Sequence, residues 1–509
     1  MNTCRPLFWV WIPLIVIALL LTGCGGGGSN GTITPPPGGN PMTATGHFRQ
    51  TKAANTNAAV GTSFRAMADS INATVNMTHE REGHTATLLS DGRVLIAGGN
   101  TNPVNNPSFM VHNTAELFDP VSERFSLLPS TMGVGRTHHC AVMMPDKKVL
   151  LIGGSTYYNG TVDKSHVDIF DPATDTFSSV AITGSDLLAS GDAKCFLLPD
   201  HRVFMFGGIE MPSPSILDTA TWTVRSVALD GSAQTYQRDW FTSAQTSDGR
   251  VLIAGGLTSK YLGVSTVFAA SDVLVFDPAH EEMSVLGHML QARAFAGMLP
   301  MPNGEVEVYG GADWDSNQNN FKITSVERIS RTGVATKIGD LPSPRGYFNS
   351  VMLQNGRSLH VGGSDAGGIS TGTQLIFDET SHASGYTGNM VEARWRYGVT
   401  QLATGRVLIS GGSSTSGGVS KTAEIFEPEA NVYVLMPKSA VALGESVQLT
   451  AEYNGAVTWS AKLGTVTSNG LYTAPSTVNT VNEAPPYDEV TATANSGAKA
   501  TVMITLLLP

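Results

Sequence analysis

The sequence predicts an all-β fold, from three observations. Residues 81–99, REGHTATLLSDGRVLIAGG, hold two short apolar runs, Thr85 to Leu89 and Arg93 to Ala97, separated only by Ser90, Asp91 and Gly92. An Asp-Gly pair accepts the positive φ angles of a tight turn, so the stretch predicts a β-hairpin. The stretch then recurs down the chain, each copy ending in a diglycine that begins at Gly98, Gly153, Gly207, Gly255, Gly310, Gly362 or Gly411. No comparable helical pattern occurs, and we expect almost no helix.

The copies keep a common register at a mean period of about 52 residues, a spacing typical of repeat architectures. An arginine stands 17 residues before six of the diglycines, at Arg81, Arg136, Arg238, Arg293, Arg345 and Arg394, and Ser190 stands at the seventh place. A third run, such as TAELFDP from Thr114, follows most diglycines, and a weaker fourth run follows that. Four antiparallel strands per unit make one propeller blade, so the sequence predicts a seven-bladed β-propeller over residues 61–430.

These marks resemble the kelch repeat, in its diglycine, its aromatic-Asp-Pro turn and its fourth-strand aromatic. The resemblance covers roughly residues 60–430, and units three and five are the degenerate copies. It implies a ring of blades around a central channel. The layout of a kelch propeller and a C-terminal β-domain also resembles galactose oxidase.

The two ends of the repeat array predict how the ring closes. The last third-strand run, Thr422 to Glu427, has no fourth run after it, whereas residues 62–77 supply a spare strand before the first unit. We therefore expect Thr62 to Met77 to pair with Thr422 to Glu427, which would remove an exposed sheet edge.

Residues 431–509 contain short alternating segments, such as SVQLTAEY and EVTATAN, split by Gly, Asn and Pro. This pattern predicts a small β-sandwich. It resembles bacterial immunoglobulin-like domains, which carry no chemistry of their own.

The N-terminal residues predict export and a lipid anchor. Residues 1–23 hold Arg5 and then an apolar run from Leu7 to Leu21, which is short for a membrane span and typical of a signal peptide. Leu21-Thr22-Gly23-Cys24 resembles the bacterial lipobox, which implies that Cys24 is lipidated and anchors the protein in a membrane. We expect an outer-membrane or cell-surface lipoprotein. Residues 24–60, rich in Gly and Pro, predict a flexible tether.

Cys140 and Cys195 remain once Cys4 and Cys24 are assigned to the signal and the lipid. Export permits a disulfide, but the two cysteines are offset by one residue on adjacent first strands, so two buried free thiols are favoured over a bridge. The formal charge of −11 and the lack of a basic run argue against a nucleic-acid partner.

The long loops, between second and third strands and between fourth and first strands, emerge on one face of the ring. Binding residues usually lie on loops that a rigid scaffold holds, so this long-loop face is the predicted functional face. Residues that depart from the repeat near the channel mouth are the candidates for binding: His138, His139, Lys194, Trp240, Phe348, Trp395, Arg396 and Tyr397. The six repeated arginines are either a ring for an anionic ligand or, as we favour, braces within each blade.

No enzyme active site emerges from the sequence. A copper site of the galactose-oxidase kind needs a Tyr-His pair, a Tyr joined to a Cys and a C-terminal His, but no Tyr-His dipeptide occurs and no His follows His382. Adjacent His138 and His139 point to opposite faces of a strand, which disfavours a shared metal. Asp313, Asp315, Asn317 and Asn319 alternate like a calcium loop, but Gln318 and Thr324 replace its Gly and Glu, so a solvated loop is favoured.

The sequence therefore predicts no metal, no cofactor and no catalytic role. We expect a scaffold for binding or adhesion, with an unknown protein or glycan as its partner. The alternative is a carbohydrate-binding or carbohydrate-active protein in which Trp240 and Trp395 are stacking platforms.

Replacing the lipobox thiol tests the anchor. We expect Cys24→Ser to yield a soluble or unprocessed form, measured by fractionating membranes and determining the mature N-terminus. Processed protein of the variant that still sediments with membranes would contradict the lipoprotein prediction.

Overall fold

The computed structural model describes residues 46–50, 76–101, 110–155, 166–184, 191–208, 213–233, 236–258, 268–314, 320–366, 368–387, 390–414, 418–428, 433–435, 440–452, 456–478, 487–495 and 499–507. Every regular element in these ranges is a strand, which confirms the all-β prediction. None of the described segments is a helix that could cross a membrane. Cys24 and the predicted signal peptide lie outside the described residues.

In the described residues, seven sheets of four main strands follow one another in sequence, and we call them blades 1 to 7. The first strand in the chain is β1, Gly46–Gln50. Blade 1 has β2 (Thr85–Leu88), β3 (Val94–Ala97), β6 (Ala115–Asp119) and β7 (Arg124–Leu127), with a loop hairpin of β4 (Asn100–Thr101) and β5 (Met110–Val111). Blade 2 has β8 (Cys140–Met143), β9 (Val149–Ile152), β10 (His166–Asp171) and β11 (Thr176–Ala181). Blade 3 has β12 (Lys194–Leu197), β13 (Val203–Phe206), β14 (Ser215–Asp218) and β15 (Thr223–Ser226).

The remaining blades repeat the same antiparallel order. Blade 4 has β17 (Thr242–Gln245), β18 (Val251–Ala254), β19 (Asp272–Asp277) and β20 (Glu282–His288), and the short β16 (Ala228–Leu229) adds in parallel to β20. Blade 5 has β21 (Gly297–Pro300), β22 (Val306–Tyr309), β25 (Ser325–Ile329) and β26 (Ala335–Asp340), with a loop hairpin of β23 (Ala312–Trp314) and β24 (Asn320–Lys322). Blade 6 has β27 (Asn349–Met352), β28 (Arg357–Val361), β29 (Gln374–Asp378) and β30 (Ser384–Thr387). Blade 7 has β31 (Gly398–Gln401), β32 (Val407–Ser410) and β33 (Ala423–Pro428).

The second strand of each blade is the most buried, because neighbouring blades cover both of its faces. In six blades all four residues of this strand are buried, as in β3 and β9, and in blade 6 four of the five residues of β28 are. A strand buried on both faces reads as a continuous apolar run rather than an alternating one. This burial explains the VLIA and VLLI segments that mark the repeat.

Clusters of buried side chains join each blade to the next around a complete cycle. The last cluster joins the two ends of the array, where Leu408 and Ile425 of blade 7 pack with Val94 and Phe118 of blade 1. The ring is therefore closed by apolar packing as well as by strand pairing.

The strand that completes blade 7 is β1, which pairs antiparallel with β33, Gly46 opposite Pro428 and Gln50 opposite Glu424. As predicted, a segment before the first blade supplies this strand. The segment is residues 46–50, however, so the choice of Thr62 to Met77 is wrong. Residues 46–50 were also assigned to the tether, and that range is corrected too. Strand pairing uses backbone N–H and carbonyl groups that every extended segment has, so the side-chain pattern could not show which upstream segment forms the strand.

Cys140 on β8 and Cys195 on β12 form a disulfide, with their Cα atoms 5.9 Å apart. The preference for two free thiols is therefore wrong. The offset of one residue along the two strands does not separate the side chains, because these strands belong to different blades and have no common register.

The C-terminal residues form a two-layered β-sandwich. Its strands are β34 (Tyr433–Leu435), β35 (Ala440–Ala442), β36 (Ser446–Gln448), β37 (Thr450–Glu452), β38 (Val457–Ala461), β39 (Thr465–Val466), β40 (Leu471–Thr473), β41 (Tyr487–Ala494) and β42 (Lys499–Leu507). The sheets β35-β42-β41-β38 and β36-β40-β39 share one core that includes Val447, Tyr472 and Val490. The side-chain amide of Gln354, in blade 6, donates to the Val434 carbonyl (3.0 Å) and accepts its N–H (2.9 Å), which joins the sandwich to the propeller.

A pair of glutamates lies between blades 5 and 6, with Glu307 buried and Glu379 half-buried. The Tyr309 hydroxyl is 2.7 Å from Glu307 Oε2 and 2.9 Å from Glu379 Oε1, and the Arg328 guanidinium binds Glu307 at 2.8 Å. A hydroxyl donates one hydrogen only, so one of the two carboxyls must carry its own proton. Burial and then the neighbouring Glu307 raise the pKa of Glu379 to about 9, so Glu379 is the protonated partner.

Proline substitutions along β1 test the closing strand. Alternate N–H groups of an edge strand point toward its partner, so of Phe48→Pro and Arg49→Pro one breaks a ladder hydrogen bond and the other does not. We expect the two variants to differ by about 1 to 2 kcal/mol in unfolding free energy, measured by denaturant titration. Two variants that both match the parent would show that β1 does not close the ring.

The acid pair predicts a pH dependence of stability. The pKa of Glu379 is about 9 in the folded protein and 4.5 as an unperturbed group, so its stabilising contribution is complete below pH 4.5 and is lost as the pH rises toward 9. We expect Glu379→Gln, which imitates the protonated acid, to lose less thermal stability than the parent between pH 5 and 9. Glu305→Gln, in the β21–β22 turn of blade 5, is the control and should follow the parent, and an unchanged profile for Glu379→Gln would contradict the assignment.

Candidate functional site at the channel mouth

The six repeated arginines lie inside the blades, each between 0% and 2% exposed. Each donates from Nη1 to the carbonyl of the first glycine of its own diglycine. The pairs and their distances are Arg81–Gly98 (2.7 Å), Arg136–Gly153 (2.9 Å), Arg238–Gly255 (3.1 Å), Arg293–Gly310 (2.9 Å), Arg345–Gly362 (3.2 Å) and Arg394–Gly411 (2.8 Å). The side chains thus brace the first strand against the end of the second.

The same guanidiniums also bind the third strand of the blade. In four blades the partner is a buried carboxylate, as for Arg81 with Glu116 and Arg136 with Asp168. Burial lowers the pKa of Arg238 to about 10, which still leaves that side chain charged at neutral pH. Because blade carbonyls and carboxylates occupy these groups, the structure places them as braces and not as an open ring for an anionic ligand.

The diglycines also join neighbouring blades. At five junctions in the described residues the N–H of the second glycine donates to the backbone carbonyl of the next blade's arginine, as from Gly99 to Arg136 (2.8 Å) and, closing the ring, from Gly412 to Arg81 (2.8 Å). A Cβ on Gly98 would lie 2.3 Å from the Arg136 carbonyl oxygen, so this approach requires glycine. Five of the six arginines therefore bind their own blade through the side chain and the preceding blade through the backbone carbonyl.

Two residues after each arginine position, the chain forms what we call the collar: Gly83, His138, Asp192, Trp240, Phe295, Tyr347 and Arg396. All seven have positive φ, between 51° and 72°. The N–H of one collar residue donates to the carbonyl of its neighbour in two runs, from Asp192 back through His138 and Gly83 to Arg396, and from Tyr347 through Phe295 to Trp240. The collar therefore follows the inner rim of the ring on the long-loop side.

Bulky side chains are unexpected at the collar. The left-handed backbone region favours glycine, and a bulky residue there costs roughly 1 to 2 kcal/mol. Gly83 shows that glycine fits the position, yet blades 4, 5 and 6 place Trp240, Phe295 and Tyr347 there. Three successive blades retain this strain with an aromatic side chain at the collar, which points to a use for those side chains.

The three aromatic residues form one arc. Phe295 is buried, and its ring stacks on Tyr347 with 3.7 Å between centroids and packs at a tilt against Trp240 (4.9 Å) and Trp314 (6.3 Å). Trp240 and Tyr347, by contrast, are 49% and 44% exposed. Phe295 thus supports two exposed aromatic faces at the mouth.

Cationic side chains adjoin this aromatic arc. Lys322 Nζ, on the blade 5 loop hairpin, lies 5.4 Å from the Tyr347 ring centroid. Arg396 is 42% exposed and near enough to Tyr347 to act on its pKa, which burial raises and the guanidinium lowers.

The opposite side of the mouth is polar. Glu82 Oε1 accepts from Asn100 Nδ2 at 3.1 Å and lies 3.6 Å from Arg396 Nη1, and Glu82 Oε2 accepts from Ser413 Oγ at 2.5 Å. Thr137 Oγ1 donates to Asn100 Oδ1 at 2.6 Å. The mouth therefore combines an aromatic arc on blades 4 to 6 with a hydrogen-bonded polar arc on blades 7, 1 and 2.

The structure separates the residues that the sequence grouped at the mouth. Trp240, Arg396 and His138 are in the collar, whereas Trp395 precedes it and is half-buried, and Lys194 is exposed on β12. His139, Phe348 and Tyr397 are buried one residue past the collar, where they pack against a glycine of the preceding blade. The proposal of these last three as mouth residues is corrected, because successive residues of a strand point to opposite sides.

The two adjacent histidines have different surroundings. Burial lowers the pKa of His139 to about 3, and its Nε2 is 3.0 Å from Thr85 Oγ1, so it is a neutral interior group. His138 is partly exposed, with Nδ1 3.1 Å from Thr137 Oγ1. Of the calcium candidates, Asp313 accepts the N–H of Trp314 (2.8 Å), and Asp315, Asn317 and Asn319 lie outside the described residues.

Sequence reasoning missed Phe295, Tyr347, Trp314 and Lys322. The first two stand at the collar register, two residues past Arg293 and Arg345, and a comparison of the repeats at that offset would have found them. Trp314 and Lys322 lie on the loop hairpin of blade 5, whose residues follow no repeat pattern in the sequence.

Comparison with known proteins gives a match in structure alone. No protein-family model and no curated protein sequence matches the chain. Among solved structures the chain is similar to a fungal alcohol oxidase of the AA5 family in complex with copper, with a TM-score of 0.59 and 13% identity over 85% of this chain and 98% of that one. At this identity the similarity shows the fold.

This similarity contradicts the prediction that the protein is not an enzyme, because the fold that it shares carries an oxidase in that fungal protein. The exclusion of catalysis from the sequence is therefore wrong, and the fold alone does not supply a reaction. The donors at the mouth do not fit a copper site made of tyrosines and histidines. The collar offers one His and one Tyr, and the disulfide leaves no thiol on Cys140 or Cys195 to join a tyrosine.

No group of three or more His, Cys, Asp or Glu side chains in the described ranges is arranged to hold a metal ion. The sheets, their closed order and the structural similarity all agree on the architecture. The chain is an all-β protein that carries a galactose-oxidase-like β-propeller.

Proposed function

We propose that the protein binds carbohydrate at the channel mouth. The observation that carries this proposal is the exposure of Trp240 and Tyr347 on a strained backbone where glycine fits. A sugar ring has an apolar C–H face and a rim of hydroxyls, so it needs an apolar platform and nearby hydrogen-bonding groups. The aromatic arc supplies the platform, and the partly exposed His138, beside the polar arc, supplies a hydrogen-bonding group at the mouth.

The site is preorganised. Phe295 holds both exposed rings from behind, and the collar hydrogen bonds fix the backbone that carries them. A ligand therefore does not have to order flexible side chains when it binds, which reduces the entropy cost of association. Any chemistry on a bound sugar would take place against these same groups.

The location of the protein is part of the proposal. The lipobox at Cys24 and the apolar run before it support an exported lipoprotein anchored in the outer membrane or at the cell surface. The Cys140–Cys195 disulfide agrees with this proposal, because disulfides persist in oxidising compartments outside the cytosol. Glycans are abundant ligands at such a surface, whereas an adhesion partner made of protein has no separate support in the structure.

Glycine substitutions at the collar test the proposal. A glycan array with the purified protein identifies a ligand, and calorimetry then measures its affinity for Trp240→Gly and Tyr347→Gly. We expect each variant to bind about 10- to 100-fold more weakly, typical of a lost aromatic anchor, with little change in melting temperature because glycine relieves the positive φ.

Trp222→Gly is the matched control. Trp222 also has positive φ (57°), but it lies in the turn between β14 and β15, on the short-turn face. The control should keep the parental affinity. Absence of glycan binding, or equal affinities for Trp240→Gly and the parent, would overturn the proposal.

A further inference from the structure

Lys322 is held over the collar by its own stem. A Cβ on Gly346 would lie 3.2 Å from Lys322 Cδ, so the aliphatic chain packs directly on the backbone next to Tyr347. Lys322 is partly buried, and this burial lowers its pKa because the charged ammonium is less well hydrated there. A partly dehydrated cation gains more from a bound anion than a fully hydrated one does.

Arg396 approaches the same ring from blade 7. Its described ionic contact joins Nη1 to Glu82 Oε1 at 3.6 Å, beyond hydrogen-bond distance. Glu82 meanwhile accepts hydrogen bonds from Asn100 and Ser413. A guanidinium has five N–H donors, so this one is well placed to bind a carboxylate in two-pronged geometry.

Acidic groups also lie near both cations, and Glu82 is the one nearest Arg396 in the described contacts. Asp365 faces Lys322, Asp192 lies across the collar, and Asp313 accepts the backbone N–H groups of Trp314 and Ala269. The net charge of the chain is −11, so the protein as a whole repels anions at long range. A preference for an acidic ligand must therefore arise from contacts made at the mouth itself.

We infer that the carbohydrate bound at the mouth is acidic, a uronate-containing glycan whose ring stacks on Tyr347 while its carboxylate lies between Lys322 and Arg396. This inference rests on the proposed function and adds the chemical class of the ligand. A neutral sugar on Tyr347 would exclude water from both cations without an anion to replace it. A uronate ring can stack on Tyr347 while its carboxylate pairs with Lys322 and Arg396.

Pairs of glycans that differ only in charge test the inference. Oligogalacturonate and oligoglucuronate are each compared with their fully methyl-esterified forms by calorimetry, with inorganic sulfate as a competitor. We expect at least one acid form to bind about 10-fold or more tightly than its ester, and Arg396→Gln and Lys322→Met each to reduce that ratio while leaving ester binding nearly unchanged. Lys322→Met keeps the apolar stem over Gly346.

Lys337→Met is the control, since Lys337 is an exposed lysine of the same blade that pairs with Asp340 on β26. Its acid-to-ester ratio should equal the parental one. If acid and ester bound equally and Trp240→Gly lost both, the acidic class would be overturned. Carbohydrate binding at the mouth would then still stand. Sulfate that binds as tightly as the uronates would indicate a simple anion site and also overturn the inference, and no binding of any glycan would overturn both proposals.

Discussion

The fold depends on one buried interaction, the bond from the arginine guanidinium to the carbonyl of the first glycine 17 residues later. This bond holds the start of the first strand, the end of the second and, through its other donors, the third strand of the same blade. A buried guanidinium is stable only when its donors are satisfied, so the diglycine carbonyl and the third-strand carboxylate are required together with it. At five described junctions, the second glycine of the same pair then donates its N–H to the next blade and so links the two blades.

Sequence periodicity predicted this framework because the framework is what repeats. The arginine, the diglycine and the buried second strand recur in register, and each has one physical role in every blade. The site was less accessible to the same reasoning, because residues on adjacent positions of one strand, such as Arg396 and Tyr397, point to opposite sides. Only the backbone conformation shows that the collar lies two residues past the arginine.

Long-range pairings were harder to predict for a different reason. The pairing of β1 with β33 uses backbone groups that any extended segment provides, so the sequence located the missing strand without identifying which upstream residues fill it. The Cys140–Cys195 disulfide joins blade 2 to blade 3, the one unit with serine in place of the arginine. The blade that lacks the arginine brace therefore carries a disulfide on its first strand. The spacing of the cysteines along the chain does not reveal this link.

The collar separates the shape of the mouth from its chemistry. Its backbone N–H and carbonyl groups bind one another in successive blades, so a ligand is recognised mainly by side chains. Gly83, Asp192 and Trp240 occupy the same backbone conformation in three blades, although one has no side chain, one is charged and one is aromatic. Residues at these positions can therefore be exchanged with little effect on the ring, and related propellers are free to evolve new ligands by single substitutions at one offset of the repeat.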